Sequence, residues 1–570
     1  MELALQSFES DFGNRHGAGD DTAEPRCRPA PAPQRCWPSG AHLLILARVR
    51  NAAQIWQLVL AALSGAAFGL AAPPSPLHGL AWLGFAPLLL ALAGDVTPRR
   101  AALLGFVAGL PVSLVGFPWI SQLLVNFAGF PGWLGAIALF VFAAWQAVPY
   151  ALFALGVAWG PRSGAIAWLL VLALFPALMS LWPVLFAYTP LIGITTYPAW
   201  IQLAELGGVH LVETIVLLAN LLVVRAVRVP ELRARLLAGG LAVGLHLLVT
   251  AGGHLRLAQL DAESAGARRV AFGLVQPNLP VLFDDANEAM QRLRGESARA
   301  QQLGAQVIVW PEAGTYPFLL ERPLEREPQE PRARVLLEHS APTLFGAVTV
   351  DPGQRFPYNT FYNLASDGSV RDHFDKVELV PFGESIPLVD PGWAQRVIPN
   401  MGHLNPGKGP RRFTVDPLGE PTPLHVGPLI CMEDIIAEFA RETAAVPGGI
   451  ELFVNATIDD WYGGGSEPWE HLALAKFRSV EHRIPLLRSV STGVTSVVDQ
   501  GGRLVAHIPP RRPEGGRLAP PEHLVHGVAL VRNTADAPTP FARFGHWFPQ
   551  LCQLAALLIL LDHARQRRAT

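Results

Sequence analysis

The sequence predicts a polytopic α-helical membrane domain of about eight spans joined to an extramembrane α/β domain, and three observations carry that expectation. Half of the 570 residues are hydrophobic and only 16% are charged, a composition foreign to a protein that is soluble throughout. The apolar residues are unevenly spread: residues 56–252 run with hardly a charge, 258–543 have ordinary globular composition, and 547–561 are apolar again. Within the globular stretch, continuous apolar runs of strand length alternate with helix-like segments. The net charge of −2 and the lack of a basic stripe interleaved with aromatics exclude a nucleic-acid partner.

Residues 1–50 are rich in Pro, Ala and Gly and lack the basic start and apolar core of a signal peptide, so they read as a poorly ordered cytoplasmic tail. Seven spans are expected within 51–256, at about 56–72, 80–94, 103–125, 133–159, 165–188, 209–224 and 236–250. An eighth, at about 547–561, lies in the C-terminal segment 544–570, leaving 257–543 as an extramembrane domain. Arginines alternate with these spans. Arg48 and Arg50 precede the first, Arg99 and Arg100 follow the second, and Arg162 follows the fourth. Arg225, Arg228, Arg233 and Arg235 follow the sixth, and Arg565, Arg567 and Arg568 follow the last, while the loops after the first, third and fifth carry no Lys or Arg. By the positive-inside rule both termini are cytoplasmic and the polar domain lies outside, in a bacterium the periplasm. His210 and Glu213, one turn apart in the sixth span, are expected to form a local polar pair, and Asn220 to join helices.

In the outer domain, strands are expected at 271–275, 306–310, 342–350, up to Cys431, 452–456, 485–490 and 494–498, with helices at 287–303 and 469–482. Such a pattern gives a sheet covered by helices, and two such layers stack back to back if the other face is buried too. Cys431 is that domain's only cysteine, so it holds no internal disulfide. It ends an apolar strand and precedes Glu433 and Asp434, a junction where helix N-terminal amides would lower a thiol's pKa. Glu312 likewise ends the run Q-V-I-V-W-P-E, where a buried carboxylate suits general-base work. Lys376, Lys408 and Lys476 are the only lysines in a chain that otherwise uses arginine, and Lys376 precedes the rigid P-F-G-E turn ending in Glu384.

V-W-P-E-A-G, D-K-V-E-L-V-P-F-G-E and I-C-M-E-D, in that order behind seven spans, resemble the motifs of the apolipoprotein N-acyltransferase family, membrane-bound members of the nitrilase or carbon-nitrogen hydrolase superfamily. The resemblance extends to W-Y-G-G-G-S-E-P-W-E-H, R-I-P-L-L-R-S and T-P-F-A-R-F-G, and it departs at Met432 and at I-D-D-W-Y, where the family more often has an aromatic and an Asn-rich run. It implies a nitrilase-like α-β-β-α sandwich, with Glu312 as general base, Lys376 stabilising the oxyanion, Cys431 as nucleophile, and Glu384 and Glu433 in support. It also implies a phospholipid acyl donor, a diacylglyceryl apolipoprotein acceptor, a thioester intermediate, a bacterial inner-membrane location and a monomer. No cofactor or metal is expected, since the sequence holds no metal-ligand cluster or phosphate-binding glycine loop.

The apolar stretch 385–409, with Trp393 and Ile398, reads as a lid dipping into the outer leaflet. Gly463–Gly465 beside Trp461, Tyr462 and Trp469 reads as a second arm on a glycine hinge or, about equally, as a tight turn with aromatic packing. His403, His425 and His471 are expected to be structural. Two alternatives stay open: a membrane-tethered hydrolase using the same triad with water, and a polytopic scaffold with an inactive outer domain.

Overall fold

The computed structural model describes residues 40–570 except 185–187, 282, 382, 386–402, 463–464, 512–516 and 570, with backbone alone for 40–51 and 127–128. The chain divides into Met1–Ala53 and a compact unit, Gln54–Thr570.

Among the described residues seven helices are long and apolar enough to cross a membrane. They are the Ala52–Ala71 part of α1 (Gly40–Ala71), and, after the short α2 (Ala86–Leu92), α3 (Pro98–Gly116). Beyond α4 (Trp119–Ala128) follow α5 (Gly132–Trp159), α6 (Gly164–Leu181), α7 (Ala204–Arg228) and α8 (Leu232–Ser264), and the C-terminal helix Trp547–Ala569 is the seventh. The protein is therefore a multi-pass membrane protein.

The expected second span is instead a 3-10 turn, His78–Leu83, followed by α2, a segment shorter than the other apolar helices, and beyond it Arg100 Nη2 donates to the Gln54 carbonyl at 2.7 Å, on the side where α1 begins. In hydrocarbon the polar groups exposed at such a break need partners, and Asn220 on α7 supplies them. Its Oδ1 accepts from the Ala86 N–H at 2.8 Å, and its Nδ2 donates to the Trp82 carbonyl at 2.8 Å and to its own helix at Val216, 2.7 Å. The expected third span is two helices, α3 and α4, parted at Phe117-Pro118, because a proline nitrogen cannot continue the ladder. The seventh overruns its expected end: α8 continues to Ser264, and the expected domain boundary at 256 falls inside it. Glu213 is fully buried and accepts from Thr189 Oγ1 and pairs with His210 Nδ1, both at 2.7 Å, the local pair expected.

The α/β domain opens with β1 (Arg268–Gln276) and α9 (Ala286–Gln302), then β2 (Val307–Val309), β3 (Leu320–Glu321), β4 (Thr343–Val350), β5 (Tyr358–Leu364) and β6 (Val370–Asp375). It continues through β7 (Phe413–Val415), β8 (Leu424–Ile430), α10 (Ala437–Ala444), β9 (Leu452–Thr457), α11 (Glu467–His482), β10 (Leu486–Val490), β11 (Thr495–Val498), β12 (Leu504–Ile508) and β13 (Glu522–Leu530). Then α12 (Pro540–Phe544) leads into α13 (Trp547–Ala569).

Among the described residues one sheet has the order β13-β1-β2-β4-β5-β6 with β3 on β4, and the other β12-β11-β10-β9-β8-β7. Their facing sides share one core, in which Phe272, Val309 and Phe361 meet Val426, Phe453 and Leu486. Ser489 Oγ on β10 lies 3.1 and 3.0 Å from the carbonyls of Val275 and Val309, tying the sheets back to back. Met290, Leu293 and Ala300 of α9 cover the outer face of the first sheet; α10 and α11 cover the second, giving the α-β-β-α sandwich.

Helix α11 also seats this domain on the membrane helices. Lys476 donates to the Thr195 carbonyl at 2.6 Å, and the fully buried Arg483 donates to Glu205 at 2.6 Å and Gln202 at 2.7 Å. Trp119 of α4 donates its indole N–H to Glu470 at 2.9 Å. Except for Glu205, which is half-buried, each partner is buried, so losing one would strand a desolvated polar group.

Candidate active site

Strand ends deliver the site residues from both sheets. Glu312 follows β2, and the Pro311–Ala313 backbone passes so close to β4 that a Cβ on Gly346 would sit 2.4 Å from the Ala313 nitrogen. Lys376 directly follows β6, and Cys431 directly follows β8. All three side chains are buried.

Lys376 Nζ donates to Glu384 Oε1 at 2.8 Å and to Glu312 Oε1 at 3.2 Å, so one ammonium lies between two carboxylates. Asn359 on β5 donates to Glu312 Oε1 at 2.7 Å and reaches Glu384 Oε1 at 3.5 Å. The other Glu312 oxygen accepts the Ile458 N–H at 3.1 Å, and the other Glu384 oxygen the Val380 N–H at 3.0 Å. Each carboxylate is thus held by a cation and a backbone amide in one orientation.

Cys431 occupies a left-handed backbone conformation, φ +52°, uncommon for a non-glycine residue and held by its surroundings. Asn455 on β9 donates to the Cys431 carbonyl at 2.8 Å. Glu433, fully buried, accepts from Ile430 N at 2.7 Å with one oxygen, and from Val377 N at 2.7 Å and Glu378 N at 3.2 Å with the other. That carboxylate fastens the cysteine turn directly to the lysine loop, so the structure brings Glu312, Lys376, Glu384, Cys431 and Glu433 into one connected cluster.

The electrostatics differ from the sequence expectation for the thiol. Helix amides do not lower its pKa: a 3-10 turn, Cys431–Asp434, intervenes before α10. Burial, reinforced by the Glu312 charge and opposed by Lys376, pushes the Cys431 thiol well above its ordinary value. Burial likewise raises Glu312 against the pull of Lys376. For Lys376, burial works against the charge, but the surrounding anionic groups outweigh it and hold the ammonium firmly protonated. The site sets a thiol of raised pKa in the field of Glu312 and the Lys376 cation.

Beside it, Phe117, Trp119, Phe142, Tyr188, Met432, Ile435, Tyr462 and Leu474 line a narrow cavity that also receives Glu467, Glu470 and His471. Tyr462 lies 4.9 Å, ring to ring, from Trp119, and Trp461 packs against the same aromatic group. Trp469 packs at the edge of the sandwich core, 5.6 Å from the His507 ring. Trp393 and Ile398 lie outside the described residues, as do Gly463 and Gly464 of the expected hinge.

Asn359, Asn455 and the Ile458 amide are site groups that sequence reasoning did not single out. Asn455 carried a signal, a lone amide inside the apolar run L-F-V-N-A; Asn359 sits in the polar-aromatic strand Y-N-T-F-Y-N-L and carried none. Asp459, Glu467 and His471 offer ligand atoms within 4.8 Å of one another, the spacing of a cation site. His471, however, directs one ring nitrogen to Asp434 at 2.9 Å and the other to Asp459 at 3.3 Å, so as an imidazolium it has no lone pair for a metal.

The chain matches the apolipoprotein N-acyltransferase N-terminal domain over residues 64–222 and the carbon-nitrogen hydrolase domain over 271–519. It is 29% identical to an apolipoprotein N-acyltransferase of Geobacter metallireducens over 78% of this chain and 86% of that one. It is also 29% identical to one from Gloeobacter violaceus, over 88% and 93%. A third, from Bradyrhizobium diazoefficiens, is 33% identical over 49% of this chain and 53% of that one. With its membrane half and its sandwich half each matched in order, this chain belongs to the apolipoprotein N-acyltransferase family.

Proposed function

We propose that the protein transfers a fatty acyl chain from a phospholipid to the free α-amine of the N-terminal S-diacylglyceryl cysteine of an apolipoprotein, through a thioester on Cys431. The observation that carries this reading is the buried Lys376 ammonium shared by Glu312 and Glu384 and fastened by Glu433 to the Cys431 turn.

Glu312 takes the Cys431 proton as sulfur attacks the ester carbonyl. Two Lys376 N–H groups are committed to carboxylates, and the third is the donor left for the developing oxyanion. When the ester C–O bond breaks, Glu312 returns the proton to the lysophospholipid oxygen, and the acyl group stays on sulfur. The acceptor amine then attacks the thioester, Glu312 takes the nitrogen's proton, the C–S bond breaks, and the proton goes back to the thiol. Both half-reactions use one site in turn, which predicts ping-pong kinetics.

The arginine pattern supports cytoplasmic termini and a catalytic domain on the periplasmic face of a bacterial inner membrane, where a phospholipid donor enters from the outer leaflet. The enzyme acts as a monomer. The aromatic cavity beside Met432 sits where the sandwich meets α4.

Intact-mass analysis after mixing with phospholipid vesicles tests the reading. A stable acyl adduct mapped to Cys431 and discharged by a diacylglyceryl lipopeptide amine supports transfer. Free fatty acid released without an accumulating adduct would mean hydrolysis instead.

A further inference from the structure

Behind the cysteine turn lies a second buried charge cluster that the reaction above does not use. Asp434, Asp459, Glu467, His471 and Arg488 come from five separate positions along the chain, and all are buried. We propose that His471, bonded through one ring nitrogen to Asp434 and facing Asp459 with the other, is a positioning residue that locks the nucleophile's turn to the loop holding the general base. This rests on the assignment of Cys431 and Glu312 made above.

The two ends of the bridge are specific. Asp434 is the last residue of the turn that begins at Cys431, and Asp459 adjoins Ile458, whose N–H holds Glu312 Oε2 at 3.1 Å. His471 Nε2 lies 2.9 Å from Asp434 Oδ1, and Nδ1 lies 3.3 Å from Asp459 Oδ1. One rigid ring on α11 therefore sets the distance between the strand ends of β8 and β9.

Both ends are themselves braced. Arg488 Nε on β10 pairs with Asp434 Oδ2 at 3.0 Å, and Thr457 donates to Asp459 Oδ1 at 3.3 Å. A Cβ on Gly493 would fall 2.1 Å from Asp459 Oδ2, so the β10–β11 turn closes over that carboxylate only because glycine stands there. Glu467 Oε1, at 3.6 Å from Nδ1, is too far for a hydrogen bond. Burial and Arg488 oppose a charge on His471, but Asp434 and Asp459 outweigh them and hold its pKa at about 10, so the ring donates from both nitrogens throughout the physiological range. Burial, reinforced by the Asp459 charge, raises Glu467.

A bridge of this kind matters because Cys431 sits in a strained conformation and its proton must travel to Glu312; a shift of about 1 Å between such groups costs on the order of 100-fold in rate. The test uses the full-length protein in phospholipid nanodiscs, reading the rate of Cys431 acyl-adduct formation and its dependence on donor concentration. H471Q and D459N each should lower the maximal acylation rate about 10- to 100-fold with little change in the donor concentration at half-maximal rate. In H471A, added imidazole should restore a measurable part of the rate, whereas pyrazole, neutral at the same pH, should not.

Wild-type acylation rates in both H471Q and D459N would overturn the proposal. So would loss of activity on EDTA treatment with recovery on adding Zn²⁺, which would make the cluster a metal site. A rate loss matched by the loss of folded protein, with no imidazole rescue, would reduce His471 to a packing residue and overturn it as well. An adduct that still forms in C431A sinks the parent assignment instead, so the two failures are distinguishable.

Discussion

Two buried carboxylates, Glu312 in the sandwich and Glu213 in the membrane block, solve the same electrostatic problem by different means. Glu312 is served by a backbone amide, Ile458 N–H, as well as by Lys376 and Asn359. Among the described residues Glu213 draws on side chains, Thr189 Oγ1 and His210 Nδ1. The reason is secondary structure. A helix spends its N–H groups on its own carbonyls, while a strand that ends in a loop frees amides at its last residues, which can be aimed at an anion. Strand ends can therefore build a charged, reactive site in a dry interior, and spanning helices use buried polar groups to fix their own breaks, as Asn220 does at α2.

If that contrast is right, substitutions in the two regions fail in different ways. The largest effect should come from C431A, which removes the covalent route and should lower turnover by at least about 10⁴-fold, with no acyl adduct in the intact mass. K376R comes next. The wider guanidinium cannot occupy the buried slot between Glu312 and Glu384 with the same aim, and the acylation rate should fall about 10²- to 10³-fold while the protein remains folded. Iodoacetamide trapping of Cys431 across pH sharpens the electrostatic side. Because burial raises both the thiol and Glu312, alkylation should be slow at neutral pH and climb with rising pH beyond the ordinary thiol value of about 8.5. A fast, pH-independent reaction would mean a preformed thiolate.

The membrane side should respond in stability rather than rate. N220L strands the Ala86 N–H and the Trp82 carbonyl, which should cost about 1–2 kcal/mol and lower the melting temperature in detergent, with activity per folded molecule unchanged. The effect at the junction depends on pH. Burial holds Glu470 protonated up to a pKa of about 8, so the folded state keeps a proton that the unfolded chain has lost above 4.5. Its contribution to stability is complete at low pH and drains away as pH rises through 8. E470Q keeps an acceptor for the Trp119 indole and should raise the melting temperature relative to the parent at pH 9 but not at pH 5.

Much of this organisation was legible beforehand. Long apolar runs announced the membrane helices, and strands buried on both faces, such as Leu424–Ile430 and Leu452–Thr457, announced the sandwich. Strands with polar-aromatic mixtures, among them Tyr358–Leu364, Val370–Asp375 and Glu522–Leu530, stayed hidden, since period-2 alternation is weak when one face carries hydrogen-bonding side chains. Splits in the second and third spans were missed because hydropathy sums over a window and does not register where the backbone turns. His471 looked structural, and only its two aspartates showed what it joins.

The sequence by itself determined which segments seek hydrocarbon, which continuous apolar strands seek a core, and which three motifs hold Glu312, Lys376 and Cys431, because hydrophobic periodicity and motif spacing are local properties of the chain. Only the tertiary structure decided that one ammonium serves two carboxylates, that Glu433 joins the cysteine turn to the lysine loop, and that the thiol's pKa is raised rather than lowered. Those outcomes depend on desolvation and on partners as far apart in sequence as Glu312 and Cys431, and neither exists until the chain has closed on itself.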